Sequence, residues 1–228
     1  MTEFKESRQL AKRTRHTVAK QEVIPLGCSG NLLEILHSLD KVCHVSAIID
    51  DAPHLQGREF QGIPVYPFAR TQDFPGAKFL CLIGSARSFA ARSDIIARTG
   101  LPAERFATFL HPTAFVSEMA EVGCGSVAYD GVLVTSNARI GEHVLMMPRC
   151  VIHHDVTIGN FTLIGTNVIL AGGVRVGESC YIGSGSALRD GVEIGDGALV
   201  GMGSVVVRDV EPGSIVAGNP ARPLPRRT

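Results

Sequence analysis

Two clusters of residues in this chain have the types and spacing to do chemistry. The first is the run Ile152-His153-His154-Asp155-Val156-Thr157, which sets two imidazoles beside a carboxylate. An imidazole gains and loses a proton near neutral pH, so it suits general acid–base work there. The second is the turn Gly27-Cys28-Ser29-Gly30, with the pair Asp50-Asp51 beginning 23 residues after Gly27. Glycines let a backbone approach a phosphate, and a helix N-terminus offers it free N–H groups. An acid at the tip of the following strand can accept hydrogen bonds from a ribose or a base. The turn lacks a full GxGxxG and its segment is short for a dinucleotide domain. It therefore favours a mononucleotide or nucleotide-sugar pocket over NAD, and a turn that merely packs a helix on a sheet would read the same way.

The histidines are positioned by a period of six. From Val116 to about Glu211 every sixth residue is apolar: Val116, Val122, Ala128, Val134, Ile140, Met146, Ile152, Ile158 and so on to Val206. With 45% of the chain apolar, chance yields such a run less than about one time in ten thousand. The fifth position of each unit, Ala120 to Val210, never holds a residue larger than valine. One branched aliphatic and one small residue per six is the signature of a parallel β-helix. Three short strands and three corners make a triangular coil, and the aliphatic side chain fills its narrow bore. Residues eighteen apart become vertical neighbours, roughly 4.8 Å apart. Ile152 and Val156 then point inward, so His153, His154 and Asp155 face outward or along a corner. Water surrounds a histidine on such a surface, which makes it a poor catalyst until a neighbouring subunit closes a cleft over it. Prisms of this shape commonly pack side by side in threes, so the site is expected between subunits of a homotrimer.

Upstream, residues 22–110 read as alternating strands and helices. Strands are expected at Val23–Gly27, His44–Ile49, Phe79–Ile83 and Arg105–Phe109, with helices over Asn31–Asp40 and Ala86–Arg98. That order implies a small parallel sheet with right-handed crossovers. Residues 1–21 are basic and aperiodic and read as a mobile tail. Residues 111–228 carry the coil, closed by the proline- and glycine-rich segment EPGSIVAGNPARPLPRRT, an extended cap for the open end.

Bulk properties exclude several function classes. Formal net charge is +0, without the basic excess that a nucleic-acid binder shows. No apolar run approaches the ~20 residues that span a bilayer, and the first residues lack the apolar core of a secretory signal. Six cysteines without CxxC pairing, two of them in small-residue slots of the repeat, suggest reduced packing thiols in the cytoplasm. The repeat holds only His143, His153 and His154, and the eleven residues from His143 to His154 make a three-ligand metal set hard to build.

Together, GCSGN, Asp50-Asp51, HHDVTIG, the AGG of Ala171–Gly173 and the closing VAGNPARPL resemble bacterial sugar O- and N-acetyltransferases. These include the sialic acid O-acetyltransferases and the N-acetyltransferases of nucleotide-linked 4-amino sugars. The resemblance spans about residues 22–224. It implies a small Rossmann-like domain followed by a left-handed parallel β-helix of hexapeptide repeats, with acetyl-CoA as co-substrate. It implies His154 as general base, Asp155 as the group that raises its basicity, and the Gly172 amide, one coil on, holding the thioester oxygen. The acetyl-CoA groove would continue past Ser184 and Met202. Nucleotide-sugar contacts would fall on Ser29, Gly30, Asn31, Asp50, Asp51 and Gly84. The chain departs from the family pattern at Asn31, Leu163 and Thr166. The expected activity is N-acetylation of a nucleotide-linked amino sugar. The alternatives are O-acetylation of a sialic acid or related sugar, a zinc hydrolyase on the same coil, and a non-enzymatic nucleotide-sensing scaffold.

Overall fold

A computed structural model describes residues 20–224, so the basic tail lies almost wholly outside the described residues. The first domain is a five-stranded sheet in the order β3-β4-β2-β1-β5. It comprises β1 (Val23–Leu26), β2 (Ile48–Ile49), β3 (Glu59–Phe60), β4 (Ile63–Tyr66) and β5 (Lys78–Cys81). β1 runs parallel to both β2 and β5, the arrangement that right-handed crossovers produce. Helix α1 (Gly30–Val42) lays Leu32, Ile35, Leu36 and Leu39 on the sheet.

Several expected elements differ. The strand over His44–Ile49 shortens to Ile48–Ile49, because His44 leaves after a single bridge to Glu22. The polar stretch before Phe74 holds the antiparallel pair β3–β4, turned at Gln61 (φ 51°) and Gly62 (φ 80°). The expected helix over Ala86–Arg98 starts late: a 3-10 turn over Phe89–Ala91 runs into α2 (Arg92–Ala97), and before it Phe89 N–H donates to Ser85 O. The Arg105–Phe109 strand also divides. Phe106 bridges to Phe79 in the first domain, while Phe109–Leu110 pairs with Val127–Ala128 as a first rung of the coil. The coil thus starts before residue 111.

From there the chain forms a left-handed β-helix whose sheets are three stacks of two-residue strands. Each strand pairs in parallel with the one eighteen residues later, as Val151 does with Ile169 and Ile152 with Leu170. Its bore is closed: Val134, Ile152, Leu170, Met146, Ile164 and Val200 are all fully buried. Cys150 and Cys180 fill small slots in the same interior, and all six cysteines are free thiols. At the far end Ile215–Gly218 and Ala221–Pro223 fold into an antiparallel pair stacked on Leu199–Val200, the expected cap.

The outward residues separate the three faces by chemistry. One face, with Val127, Leu145 and Leu163 outward, is buried beneath the first domain. Gly84 sits directly on it: a Cβ there would fall 2.5 Å from Leu163 Cδ1 and 3.0 Å from Leu145 Cδ1. The second face is polar, with Glu121, Arg139, Thr157, Arg175 and Glu193 outward. The third presents Phe115, Leu133, Val151, Ile169, Ala187 and Val205, an apolar column that the described residues leave uncovered.

Polar contacts fix the first domain to the coil. Arg92 is fully buried at the junction, donating from Nη2 to His143 O at 2.7 Å and from Nη1 to Ile83 O. Tyr129 Oη donates to Asn31 O at 3.0 Å, and His111 Nε2 meets Ser38 Oγ at 2.7 Å. Burial first, then the Arg92 charge, lowers the His143 pKa to about 4, so this ring stays neutral, stacked on Phe161.

Candidate active site

The histidine cluster occupies the corner where the apolar face turns into the polar one. Asp155 takes a left-handed backbone there (φ 60°), a conformation that Asp and Asn tolerate better than most residues. Its N–H donates to Ser136 O of the preceding coil at 3.1 Å, which sets the corner's shape. His154 and Asp155 side chains are 65% and 58% exposed, so the pair faces solvent in the isolated protomer. His153 also points outward.

His154 Nδ1 lies 2.8 Å from Asp155 Oδ2, and Asn137 Nδ2 donates to Asp155 Oδ1 at 3.1 Å. The hydrogen bond from His154, followed by that from Asn137, holds the Asp155 carboxyl below its ordinary pKa. An ionised carboxylate only accepts hydrogen bonds, so Nδ1 must carry the proton. The lone pair of the neutral ring is then on Nε2, the atom turned away from Asp155.

Gly172 lies one coil beyond His154. A Cβ on it would come within 2.6 Å of His154 Cε1 and 2.7 Å of Nε2, so only glycine lets the imidazole lie against this backbone. The Gly172 carbonyl accepts from Gly191 N–H, and Gly173 N–H donates to His154 O. The Gly172 N–H itself has no hydrogen-bond partner among the described residues. An unpaired amide beside a proton acceptor is the arrangement that stabilises an oxyanion.

On the other side of the pair, towards the first coils, a shallow recess of about 420 Å³ borders Asp155. Met119, Glu121, Asn137, Arg139 and Thr157 line the rest of it. The sequence reading missed Asn137. Its signal was the spacing: Asn137 precedes Asp155 by eighteen residues and has the same left-handed backbone (φ 60°).

Ser184 and Met202 stand at a different corner, where the domain-covered face meets the apolar one. Ser184 Oγ accepts the Thr166 N–H at 3.1 Å, and Met202 is 73% exposed. The apolar face therefore lies between these two residues and His154 of the same protomer. Leu163, one of the departures from the family pattern, is buried under Gly84 on the domain-covered face, away from the histidine corner.

The second cluster gathers at the carboxyl edge of the first domain's parallel strands. Asp50 Oδ2 accepts Cys28 N–H at 2.8 Å and its Oδ1 accepts Ala52 N–H at 2.8 Å. Asp51 Oδ1 accepts Phe68 N–H at 2.8 Å. Asn31 Nδ2 donates to Leu82 O and Gly84 O, both at 2.9 Å, tying α1 to the end of β5. Ser29 is the residue before α1 and makes no side-chain cap. Asp50 thus shapes the glycine turn, while Asn31 and Gly84 also hold the domain together. Among the described residues no group of three or more His, Cys, Asp or Glu could hold a metal ion. No helix of the described residues is long and apolar enough to cross a membrane.

The chain thus carries a three-sided hexapeptide coil with a carboxylate-paired histidine at one corner. The bacterial transferase hexapeptide family model (six repeats) matches residues 137–172 and 173–208. Among solved structures, the acetyltransferase domain of PglB from Neisseria gonorrhoeae is 26% identical with a TM-score of 0.79. That match covers 90% of this chain and 100% of the PglB domain. PerB from Caulobacter crescentus, in complex with CoA and GDP-perosamine, is 28% identical with a TM-score of 0.78 over 91% of this chain and 99% of its own. WeeI from Acinetobacter baumannii is 26% identical, with a TM-score of 0.71 over 90% of this chain and 100% of its own. A search of curated protein sequences gave no match. The chain carries this hexapeptide repeat over residues 137–208, is similar over most of its length to sugar N-acetyltransferase structures, and is an acyltransferase.

Proposed function

We propose that this acyltransferase moves the acetyl group of acetyl-CoA to the amine of a nucleotide-linked amino sugar, with His154 as general base. One observation carries the reading: His154 is tied through Nδ1 to Asp155 and rests against Gly172, whose amide is unpaired. The similarity to PerB, described in complex with CoA and GDP-perosamine, and to a PglB domain, described in complex with acetyl coenzyme A, supports the choice of donor and acceptor.

In this mechanism His154 Nε2 removes a proton from the sugar amine as its nitrogen attacks the thioester carbonyl. A C–N bond forms, and Asp155 stabilises the imidazolium. The Gly172 N–H receives the negative charge that develops on the carbonyl oxygen. Collapse breaks the C–S bond, and the imidazolium returns its proton to the departing thiolate, giving CoA and an amide. The donor would extend over the later coils, past Ser184 and Met202. The nucleotide would sit at Ser29, Gly30, Asn31 and Gly84, with Asp50 and Asp51 accepting from ribose or base. Each carboxylate oxygen already engaged by a backbone N–H keeps a second lone pair for that purpose.

The apolar face supports a homotrimer. Of the three faces, one is covered by the protomer's own first domain and one is polar. Among the described residues, only the column Phe115, Leu133, Val151, Ile169, Ala187 and Val205 is both apolar and uncovered. Contiguous apolar surface of this kind marks an interaction site. Packing three such faces around an axis would bring the histidine corner of one protomer to the Ser184–Met202 corner of the next. The residues that one chain keeps apart would then form one cleft, shielding an imidazole that is open to water in the protomer.

A thiol-release assay with acetyl-CoA tests the activity against UDP-, GDP- and dTDP-linked amino sugars and matched hydroxyl sugars. At least one amino-sugar nucleotide is expected to release stoichiometric free CoA. Release with hydroxyl sugars alone would replace the amine by a hydroxyl acceptor, and release with neither would reject the proposed reaction.

A further inference from the structure

We propose that Asn137 is a positioning residue for the transfer: from the preceding coil its side-chain amide pins Asp155 so that the His154 ring keeps Nε2 free. The proposal rests on the reading of His154 as the base.

Asn137 and Asp155 occupy the same slot of successive coils, eighteen residues apart, both with φ 60°. Left-handed backbone favours Asn and Asp because their short polar side chains bond locally and offset the steric penalty. Parallel stacking of the coils then superposes the two side chains. A surface carboxylate held at one oxygen can still rotate and swing. Here Oδ2 is held by His154 Nδ1 at 2.8 Å and Oδ1 by Asn137 Nδ2 at 3.1 Å, so both oxygens of one rigid plane are fixed. That plane dictates the orientation of the imidazole and the nitrogen that bears its proton. Asn137 also lines the recess beside Asp155, along with Glu121 and Arg139, the other charged groups there.

A merely structural role is the competing explanation, since a similar rung joins Asn160 Nδ2 to Glu178 Oε1 at 3.1 Å on another corner, where no histidine bonds the carboxylate among the described residues. The test must therefore read the imidazole itself. Asn137→Gly removes the amide and keeps the left-handed backbone relaxed, while Asn137→Asp keeps the shape and turns the donor into an acceptor. In ¹⁵N-histidine NMR of the substrate-free protein, above the titration of the ring, His154 should be mostly Nδ1–H in the natural protein. Both variants should shift it towards the Nε2–H form. Their kcat should fall about tenfold, as expected for members of one hydrogen-bond network, with KM for acetyl-CoA changed less than about twofold. Asn137→Gly should cost nothing further in an Asp155→Ala background. An unchanged His154 tautomer, or losses that multiply in the double variant, would overturn the proposal. The NMR readout needs no substrate. A shifted tautomer in a protein that transfers no acetyl group would therefore refute the reading of His154 as the base and leave the positioning contact standing.

Discussion

His154→Ala should lower turnover by about 10²–10⁴-fold, the usual worth of a general base, with the fold intact. The size follows from the acceptor's chemistry, because the amine must shed a proton as its nitrogen bonds to the carbonyl carbon. Without Nε2 that proton has only water to go to. The structural consequence should be small, since the side chain is 65% exposed and its hydrogen bond is to the neighbouring Asp155. Exposed substitutions of this kind usually stay within about 0.5 kcal/mol of the parent. The donor would be held on later coils, so KM for acetyl-CoA should change little. Steady-state thiol release paired with a melting curve checks all three statements. Full turnover in a folded variant would remove His154 from the mechanism.

Gly172→Ala should be nearly as damaging to activity, for a steric reason. The added methyl would lie 2.6 Å from His154 Cε1 and 2.7 Å from Nε2, so the ring must turn away from its place above the amide. Displacing a reacting group by about 1 Å can cost about 10²-fold. Gly173 provides the control. Its φ is +69° and nothing lies within 4 Å of the position a Cβ would take. Alanine there should destabilise the corner by about 1–2 kcal/mol through backbone strain alone. Gly172→Ala is therefore expected to lose kcat and keep its melting temperature, while Gly173→Ala should do the reverse. Equal kcat in the two variants would contradict the close approach of ring and backbone.

The coil was legible because its bore admits one kind of side chain at each step. Ile152, Ile158 and Ile164 announce the inward positions, and Gly172 follows His154 by one coil. What stayed hidden was the chemistry of the outer surface. Leu163 and Ile169 are both outward aliphatics, yet one lies beneath the first domain and the other is uncovered, a difference decided by tertiary contact. The rung Phe109–Leu110 precedes the run of hexapeptide aliphatics, so nothing in the expected strand Arg105–Phe109 marks that its end pairs with the coil. Ala86–Arg98 reads as one helix, but the chain turns helical only from Phe89, leading into Arg92, whose side chain must reach carbonyls on both domains. At the site, the pair His154–Asp155 was visible as adjacent residues. Asn137 was not, because its relation to Asp155 runs across coils. In the first domain, Asn31 and Gly84 carried glycine-turn signals that also serve packing, since Asn31 bonds the end of β5 and Gly84 meets Leu163.

The proposed cleft, shared by the histidine corner of one protomer and the Ser184–Met202 corner of the next, is tested most directly by mixing two defective chains. His154→Ala removes the base, and Met202→Arg obstructs the expected donor groove at the other corner. Each variant alone should be nearly inactive. Co-expressed in equal amounts, they should recover roughly a quarter of the natural activity, because random cyclic assembly gives that share of clefts two intact halves. If each site lies within a single protomer, no mixture can restore it. Co-assembled variants no more active than the separate ones would contradict the shared cleft.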